Sequence, residues 1–334
     1  MKAYSHHQPI PEEILALSHE RDQLRKRGKY ERADALKQQI EDAGYAVKDN
    51  PRGAHLVILP SIEIDGHLYR LARQVPSLLT MSDLCTFSVN ILTHNSYEAT
   101  QRCIESILRF AGQTSLEILL VDNASDDGID LWAEALRARE PRVHFLHTSR
   151  HMGEAEARNI SVKQSRGRYI LLLDEHVELT GDLFTPLATT LADANVGITG
   201  YQGVVTDDLR HFEASSTAQA DAITGTCLAF RRDLLKQTGL FDEQYRSPYY
   251  MDIDFNFAVR DTGLDVVVTP DLPLQQHAPE TAASPTGPER TEEQRLSKRN
   301  FYRFLEKWGS RDDLLPETDG DEDEEAGEAG DEEV

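Results

Sequence analysis

The chain has 334 residues, of which 39% are hydrophobic, so it can form a sizeable core in one large domain or two smaller ones. Its formal net charge of −23 argues against broad nucleic-acid binding, and DNA is not an expected partner. Its three cysteines form no CxxC pair, which is typical of a reducing cytoplasm. No apolar run approaches the roughly 18 residues of a membrane span, so we expect a cytoplasmic protein, with peripheral binding at the inner face of the membrane as an option.

The N-terminal residues 1–53 are predicted to form a helical hairpin. Apolar residues at helical spacing indicate two helices between Pro11 and Gly44, separated by Gly28. We expect the hairpin to be a docking surface or the contact of a homo-oligomer. RNA binding through residues 12–53 is the alternative, because part of the hairpin resembles the small helical module at the end of cysteinyl-tRNA synthetases. The residues that carry this resemblance are Arg21, Arg25, Lys29, Ala33, Asp34, Gly44, Asp49 and Gly53.

A β-hairpin and a linker are predicted over residues 54–85. Asp65-Gly66 separates the apolar-rich runs 55–64 and 67–71, and Asp-Gly is a strong signal for a two-residue hairpin turn. Pro60 has no backbone N–H, which places the first strand at a sheet edge or on a bulge.

From Phe87 onward the sequence alternates between strand-like and helix-like stretches. Repeated β–α units of this length predict an α/β fold, in which helices flank a mostly parallel sheet. Open sheets of this kind bind ligands beyond the carboxyl ends of their strands. The predicted strands are 87–93, 116–121, 143–146, 169–173 and 262–268.

The stretch Ile170–Leu179 has the clearest chemical pattern. Four apolar residues lead into Asp174, Glu175 and His176, which predicts a buried central strand with charged residues at its carboxyl end. Residues two apart in an extended chain point to the same side, so Asp174 and His176 are expected to converge. A carboxylate and an imidazole can share a divalent metal, and the mixed set suits Mn²⁺ better than Mg²⁺. The alternative is an ordinary strand end with solvated charges.

Seven short motifs follow one another between residues 86 and 308. They are Thr93-His94-Asn95, Val121–Gly128, Gly153 with Ala157-Arg158-Asn159, Gly167–Asp174, Gly225 with Arg231-Arg232, Gly239–Glu243, and Asp252-Ile253-Asp254 with Arg260. In this order they resemble the family 2 glycosyltransferases, whose fold is called GT-A. The resemblance implies transfer of a sugar from a nucleotide-diphosphate donor, expected to be a UDP-sugar, to an acceptor hydroxyl on a saccharide, a lipid-linked molecule or a protein.

The resemblance also implies which residues bind the donor. Asp122 would accept the N3–H of a uracil-type base, although a turn that caps the next helix is an alternative that is compatible with this role. Arg158 and Asn159 would face the sugar or the phosphates, and a surface salt bridge is the alternative for Arg158. The implied donor-binding residues are Thr93, Asn95, Asp122, Asn123, Arg158, Asn159 and Asp174.

The D-x-H form of the acidic motif implies a particular metal site. The family usually has D-x-D here, whereas D-x-H resembles the polypeptide N-acetylgalactosaminyltransferases, in which the Asp and the His bind Mn²⁺ and a later His completes the protein ligands. His277 is the matching later residue. We therefore expect Asp174, His176 and His277 to bind a metal that bridges the two phosphates and neutralises the leaving diphosphate.

Asp252 is the expected catalytic base. In inverting family members the Asp at this position takes the proton of the acceptor hydroxyl, although Met251 here replaces the preceding Glu of the motif. Capping of the following helix by Asp252 or Asp254 is the alternative. Enzymes with D-x-H retain the configuration and need no such base, so a retaining transferase stays open. We expect inversion because the family 2 resemblance covers more of the chain.

Two other classes of protein remain open. A nucleotidyltransferase needs a glycine-rich phosphate loop with basic residues near the first strand, and residues 93–97 have neither. A non-catalytic nucleotide-sugar or RNA-linked binding protein would keep the fold without turnover.

The C-terminal part is predicted to contain a flexible loop, a basic-aromatic helix and an acidic tail. The loop, residues 279–288, is expected to close over the donor. The helix, residues 295–308, is expected to pack against the acceptor side, with phosphate or anionic lipid as the alternative contact. Between Glu317 and Val334 there are eleven acidic residues and no Lys or Arg. We therefore expect residues 309–334 to be a disordered tail.

Overall fold

A computed structural model describes residues 10–50, 53–64, 66–245, 250–278 and 288–315 of the chain. Within these residues, no helix is both long enough and apolar enough to cross a membrane. The helices are α1 (Glu12–Lys26), α2 (Tyr30–Asp42), α3 (Tyr97–Phe110), α4 (Ile129–Arg139), α5 (Glu154–Gln164), α6 (Phe184–Leu191), α7 (Leu235–Thr238), α8 (Met251–Arg260) and α9 (Pro288–Trp308).

Most strands are short, and β5, β6 and β8 are the longest. In chain order they are β1 (Tyr45–Asn50), β2 (Gly53–Ile58), β3 (Ile62–Ile64), β4 (His67–Tyr69), β5 (Cys85–Thr93), β6 (Leu116–Asp122), β7 (Val143–Thr148), β8 (Gly167–Asp174), β9 (Val177–Leu179), β10 (Val196–Gly200), β11 (Gly203–Val205), β12 (Glu213–Ala214), β13 (Ala222–Ile223), β14 (Cys227–Arg231), β15 (Asp265–Val268) and β16 (Leu274–Gln276).

A nine-stranded sheet forms the centre of the molecule, in the order β15-β10-β14-β8-β5-β6-β7-β3-β4. Its middle strands β8, β5, β6 and β7 are parallel, and β10 is parallel to β15. The predicted α/β fold is therefore confirmed. The sequence pattern did not predict β14, which runs antiparallel between β8 and β10.

Both faces of the central sheet are buried. Along β8, Leu171 and Leu173 face a core that includes apolar residues of α3, α4 and α6. The alternate residues Ile170 and Leu172 face a second core, to which α5, α7 and α8 contribute. A strand covered on both faces needs a continuous apolar run, which explains the pattern at residues 170–173.

The N-terminal helical hairpin is present as predicted, with Gly28 between its two helices and Gly44 after α2 in a left-handed conformation (φ 97°). The predicted strand over residues 55–64 is wrong, because the run is divided at Pro60. Its first part, β2, pairs with β1, which the sequence pattern did not predict. Its second part, β3, pairs with β4 as the expected hairpin, whose turn residue Asp65 lies outside the described residues.

The β3–β4 hairpin extends the central sheet. Strand β3 pairs with β7, and Glu63 of β3 lies directly opposite His147 of β7. The segment that follows, predicted as a linker, is bonded to helix α5 and its C-terminal end. Lys163 Nζ donates to Ala72 O (2.9 Å), and the backbone N–H of Leu78 donates to Lys163 O (2.7 Å).

The C-terminal part departs from the expected bounds in three places. The last predicted strand, 262–268, begins only at Asp265. The expected disorder from residue 309 is wrong for residues 309–315, which pack on α8: Leu314 is buried, and its carbonyl accepts a hydrogen bond from Arg260 Nη2 (2.6 Å). Helix α9 begins at Pro288, which was predicted as the end of the loop at 279–288, and not at residue 295. Residues 279–287 of that loop and the tail beyond residue 315 lie outside the described residues.

Candidate active site

Asp174 and His176 converge through a turn. Strand β8 ends at Asp174, and residues 175–176 form a turn before β9. Asp174 Oδ1 accepts hydrogen bonds from the backbone N–H of His176 (2.8 Å) and from His176 Nδ1 (3.1 Å). The expected extended chain at this point is therefore wrong, because an aspartate carboxylate readily accepts the backbone N–H two residues on and closes a turn.

The turn forms a cluster that fits a divalent metal. One ligand atom each from Asp174, Glu175 and His176 lies within 4.8 Å of the others. Burial raises the pKa of the Asp174 carboxyl, but the hydrogen bonds from His176 outweigh this effect and hold that pKa below its usual value. Burial and the nearby charge of Asp174 raise the pKa of Glu175 to about 7. The hydrogen bond from His176 Nδ1 to Asp174 raises the pKa of His176. In the neutral ring Nε2 carries the lone pair that a metal requires.

His277 lies beside the turn, but its ring is bonded elsewhere. Strand β16 pairs with β9, and the backbone N–H of His277 donates to His176 O (2.9 Å). The His277 ring donates from Nε2 to Glu178 Oε2 (2.9 Å) and is not part of the three-residue cluster. A carboxylate behind a histidine is a common arrangement at metal sites, because it fixes the ring and leaves the other nitrogen for the metal. The assignment of His277 as a third ligand stays a prediction.

Asp252 lies in the first turn of α8. Hydrogen bonds through two neighbouring residues, Gly225 and Thr226, connect it to the Asp174 turn. Asp252 Oδ2 accepts the backbone N–H of Gly225 (2.7 Å), and the carbonyl of Thr226 accepts the backbone N–H of Asp174 (3.0 Å). Burial raises the pKa of Asp252, and the Gly225 N–H partly offsets this effect. The N-cap of α8 is Tyr250 and not an aspartate, so the capping alternative is wrong as to the N-cap position. Asp252 Oδ1 nevertheless accepts the backbone N–H of Ile253 in the first turn (2.9 Å).

Arg158 supplies a buried positive charge that acts on both Asp174 and Asp252. Its side chain is 8% exposed, and its Nε donates to Glu154 Oε1 (2.7 Å). Its Nη1 is buried without a hydrogen-bond partner among the described residues. Burial lowers the pKa of Arg158, because it disfavours the charged guanidinium. The charge of Glu154 and its hydrogen bond to Arg158 act in the opposite direction, and the pKa is held above its usual value. An orphaned buried guanidinium nitrogen is costly. The contact of Arg158 with the sugar or the phosphates stays a prediction.

The predicted nucleotide residues Thr93 and Asn95 lie at the carboxyl end of β5. Thr93 is buried, and its hydroxyl shares a hydrogen bond with that of Thr100 (2.7 Å). Asn95 is exposed in a left-handed conformation (φ 53°), and its Oδ1 accepts the backbone N–H of Asp126 (2.8 Å). Strain of this kind is frequent at ligand sites. Asn95 is therefore the more accessible of the two.

Asp122 and Asn123 are buried at the end of β6. Asp122 Oδ1 accepts the backbone N–H of Ser125 (2.9 Å). This bond closes the turn that the sequence analysis gave as the alternative role of Asp122. The amide of Asn123 accepts from the backbone N–H of Met152 (2.8 Å) and donates to its carbonyl (3.1 Å). Asn123 therefore fastens β6 to the segment before α5, and its contact with a nucleotide stays a prediction.

Asn159 is also bonded within the chain. Its Oδ1 accepts the backbone N–H of Phe241 (3.0 Å), and its Nδ2 donates to the Phe241 carbonyl (2.8 Å) and to Glu243 Oε1 (3.3 Å). These bonds join α5 to the segment that follows α7, on the same helix that carries Arg158. The contact of Asn159 with sugar or phosphate stays a prediction.

Residues 88–243 match the model of a family described as glycosyl transferase family 2. This part of the chain is a family 2 glycosyltransferase domain. The model ends before Asp252 and His277, so those two residues rest on geometry and on the sequence resemblance.

Curated relatives of the family 2 domain align over part of their length. Glycosyltransferase GlyG of Streptococcus pneumoniae is 33% identical over 94 residues, which are 28% of this chain and 30% of GlyG. The succinoglycan biosynthesis protein ExoO of Rhizobium meliloti is 28% identical over 138 residues, 40% of this chain and 39% of ExoO. The uncharacterized protein y4gI of Sinorhizobium fredii is 25% identical over 255 residues, 67% of this chain and 28% of y4gI. The chain thus spans only 28 to 39% of the length of these relatives.

Two solved structures share the fold. GalNAc-T7 with UDP, GalNAc and Mn²⁺ superposes with a TM-score of 0.58 at 17% identity, covering 69% of this chain and 49% of GalNAc-T7. The mannosyltransferase PcManGT of Pyrobaculum calidifontis, in complex with GDP-Man and Mn²⁺, has a TM-score of 0.50 at 17% identity, covering 72% of this chain and 81% of PcManGT. These likenesses confirm the GT-A fold expected for the family 2 domain.

The sequence pattern assigned no role to three residues of the site. Thr226 anchors the Asp174 turn, Glu178 holds the His277 ring, and His147 bonds Asp122. Glu178 lies two residues after His176 in the sequence, so its closeness to the D-x-H motif could have indicated a role at the site. His147 and Thr226 lie in ordinary strand and loop sequences and reach the site only through strand pairing.

Proposed function

We propose that the chain is a metal-dependent glycosyltransferase that moves a sugar from a nucleotide-diphosphate donor, expected to be a UDP-sugar, to an acceptor hydroxyl with inversion. One observation supports this proposal most directly. The Gly225-Thr226 segment joins the Asp174-His176 turn to Asp252, so that a cluster of metal-ligand type and a candidate base lie side by side. The charge of Arg158, whose Nη1 has no hydrogen-bond partner among the described residues, acts on both groups.

Asp252 performs the proton transfer in this proposal. Its carboxylate takes the proton of the acceptor hydroxyl while the acceptor oxygen forms a bond to the anomeric carbon of the sugar. The bond from that carbon to the phosphate oxygen breaks, and the nucleoside diphosphate leaves with the electron pair. The Gly225 N–H fixes one carboxylate oxygen and keeps the side chain in place. A positioned general base typically contributes about 10²- to 10⁴-fold in rate.

Arg158 stabilises the charge that develops on the leaving diphosphate. Its buried Nη1 gains a partner when a phosphate oxygen arrives, so the cost of burying that nitrogen is recovered on binding. Preorganised positive charge in a water-poor site is an effective way to stabilise a leaving anion.

Asp174 and His176 would hold the divalent metal, with His277 as the third protein ligand. The donor set is one carboxylate and imidazole nitrogens, which suits Mn²⁺ better than Mg²⁺. A metal held there would supply positive charge that stabilises the leaving diphosphate. Glu175 adds a second carboxylate beside these ligands.

The test is release of UDP from candidate donors. Purified chain is incubated with UDP-glucose, UDP-N-acetylglucosamine and UDP-N-acetylgalactosamine, each with Mn²⁺ or with a chelator, with and without candidate saccharide acceptors. The proposal expects metal-dependent UDP release from one donor, and NMR of the product should show the inverted anomer. Metal-dependent UDP binding without release from any donor would favour the non-catalytic binding protein, and a product of retained configuration would remove Asp252 as the base.

A further inference from the structure

Asn256 is a buried residue of α8 that lies one helical turn after Asp252 and is 0% exposed. Its Oδ1 accepts the backbone N–H of Ile223 (2.9 Å), and its Nδ2 donates to the carbonyls of Ile223 (3.0 Å) and Asp252 (2.8 Å). An amide nitrogen has two N–H donors, so both are used within the chain. Asn256 therefore has no spare donor for a ligand, and it acts through the residues that it holds.

The first of these residues, Ile223, ends the two-residue strand β13. Strand β13 pairs with β11. The Asn256 amide bonds Ile223 as a second neighbouring strand would, through both its N–H and its carbonyl. A buried polar network whose bonds are all made is rigid. The segment 223–226 is thus fixed to α8 at its start.

The segment 223–226 is held at its other end by the central sheet. Strand β14 begins at Cys227 and pairs with β8. The carbonyl of Thr226 accepts the backbone N–H of Asp174 at the end of β8 (3.0 Å). Asn256 takes no part in these bonds, so the Asp174 turn keeps its own anchor if the Asn256 amide is lost.

Gly225 lies between these two anchors, and its N–H donates to Asp252 Oδ2 (2.7 Å). A hydrogen bond weakens steeply when its donor turns away from the acceptor, so this contact depends on the place of Ile223. We propose that Asn256 is a positioning residue, which holds Ile223 on α8 and thereby aims the Gly225 N–H at the Asp252 carboxylate. The inference rests on the proposed function, because the contact serves the reaction only if Asp252 is the base.

The test uses Asn256→Ala, which removes all three hydrogen bonds, in the full chain. The matched control is Asn90→Ala. Asn90 is also buried, and its amide donates to the Ser88 carbonyl (3.1 Å) and to Ser165 Oγ (3.1 Å), neither of which belongs to the site. Circular dichroism and chemical denaturation show whether each variant is folded and how much stability it loses.

Asn256→Ala is expected to lower kcat for UDP release by about tenfold or more, because a small displacement of a catalytic group is costly. UDP affinity in the presence of Mn²⁺ should stay within about threefold of the wild type, because the Asp174 turn keeps its anchor. Asn90→Ala should lose stability and keep the wild-type kcat.

A second readout needs no turnover. The carboxyl carbon of Asp252 is titrated by NMR in protein labelled at its aspartates, and its signal is assigned with Asp252→Asn. The Gly225 N–H lowers the pKa of Asp252, so its loss in Asn256→Ala should raise that pKa, while the charge of Arg158, which also acts on Asp252, is unchanged. The inflection of kcat should move to higher pH in the same variant, and Asn90→Ala should change neither quantity.

Two results would overturn the inference. The first is a folded Asn256→Ala variant with the wild-type kcat and an unchanged pKa of Asp252. The second is an equal loss of kcat in Asn90→Ala, since the effect is then one of stability alone. If Asn256→Ala does not fold, Asn256→Ser decides in the same way, because its single donor cannot replace both N–H groups of the amide.

Failure of the proposed function has a different signature. Absence of UDP release from every donor by the wild type would overturn that function. The NMR titration would still decide whether Asn256 aims the Gly225 N–H at Asp252, so the two failures are distinguishable.

Discussion

Two aspartates of α8, two residues apart, have different environments. Asp252 points to the Gly225 N–H beside the Asp174 turn. Asp254 is buried and accepts hydrogen bonds from Trp308 Nε1 (2.8 Å) and Lys307 Nζ (2.8 Å) of α9. The second side chain fastens a helix, whereas the first is the residue proposed as the base.

We predict that Asp252→Asn abolishes transfer while it preserves UDP binding. An amide cannot take the acceptor proton, so kcat should fall by about 10²-fold or more. The measurement is the rate of UDP release, with calorimetric titration of UDP and Mn²⁺ alongside. Turnover at the wild-type rate would leave Asp252 with a structural role only.

The pH dependence of kcat gives a second prediction for the same residue. A base must be ionised, and burial raises the pKa of Asp252. Activity should therefore be lost as the pH falls through this raised pKa, at an inflection above the value of about 3.9 that is usual for Asp. The experiment is kcat from about pH 8 down to about pH 4, with circular dichroism at each pH to follow folding. A folded enzyme whose kcat stays constant to about pH 4 contradicts this prediction.

At the residue scale, the sequence predicted which residue types gather at the sheet edge but not how each side chain is used. Asp174 and His176 do come together, although through an Asx-type turn rather than through strand alternation. Asp122 is at the predicted strand end, but His147 covers it. Such details depend on strand register and on side-chain packing, which a single sequence does not contain.

At the scale of elements, α9 is attached to α8 by a buried aromatic and charged contact. Phe304 and Trp308 of α9 are buried against Phe257 of α8. Asp254 accepts the indole N–H and pairs with Lys307 in the same contact. The predicted packing role of this helix is therefore observed, while contact with the acceptor side stays a prediction.

We predict that Asp254→Asn lowers the free energy of unfolding by about 1–3 kcal/mol, because it removes the charge from hydrogen bonds to a buried group. UDP binding should be unchanged. Chemical denaturation measures the effect, and Asp313→Asn, on an exposed pair with Arg311, is the control that should leave stability unaltered. Equal stability of Asp254→Asn and the wild type would mean that the aromatic packing alone holds α9.

The sequence pattern did not predict the pairing partner or the direction of some strands. Pro60 divides an apolar run into β2 and β3, which belong to two different sheets. Strand β14 has the same apolar composition as a parallel strand, but it runs antiparallel to β8. The direction and the partner of a strand follow from the whole topology, so local pattern alone could not give them.

At the scale of the whole molecule, β3 and β4 belong to the same sheet as the family 2 domain. Ile62 and Ile64 are buried in a core that also contains Leu146 and Met152. A chain cut at the predicted boundary of residue 86 would expose this core and the edge of β7.

We therefore predict that a chain that begins at residue 60 is folded and binds UDP, whereas a chain that begins at residue 86 is less stable and tends to aggregate. Size-exclusion chromatography and thermal unfolding of the two truncations make the comparison. Equal stability and solubility of both would show that the hairpin is dispensable.

The most direct test of the central claim is calorimetric titration of UDP into the full chain, with Mn²⁺ and with chelator. The same titration is made with His176→Ala and with the control His211→Ala. We predict that Mn²⁺ tightens UDP binding by about tenfold or more, that His176→Ala removes this gain as loss of a metal ligand should, and that the control keeps it. UDP binding of equal strength with chelator and with Mn²⁺, unchanged in His176→Ala, would contradict a metal site at the Asp174-His176 turn.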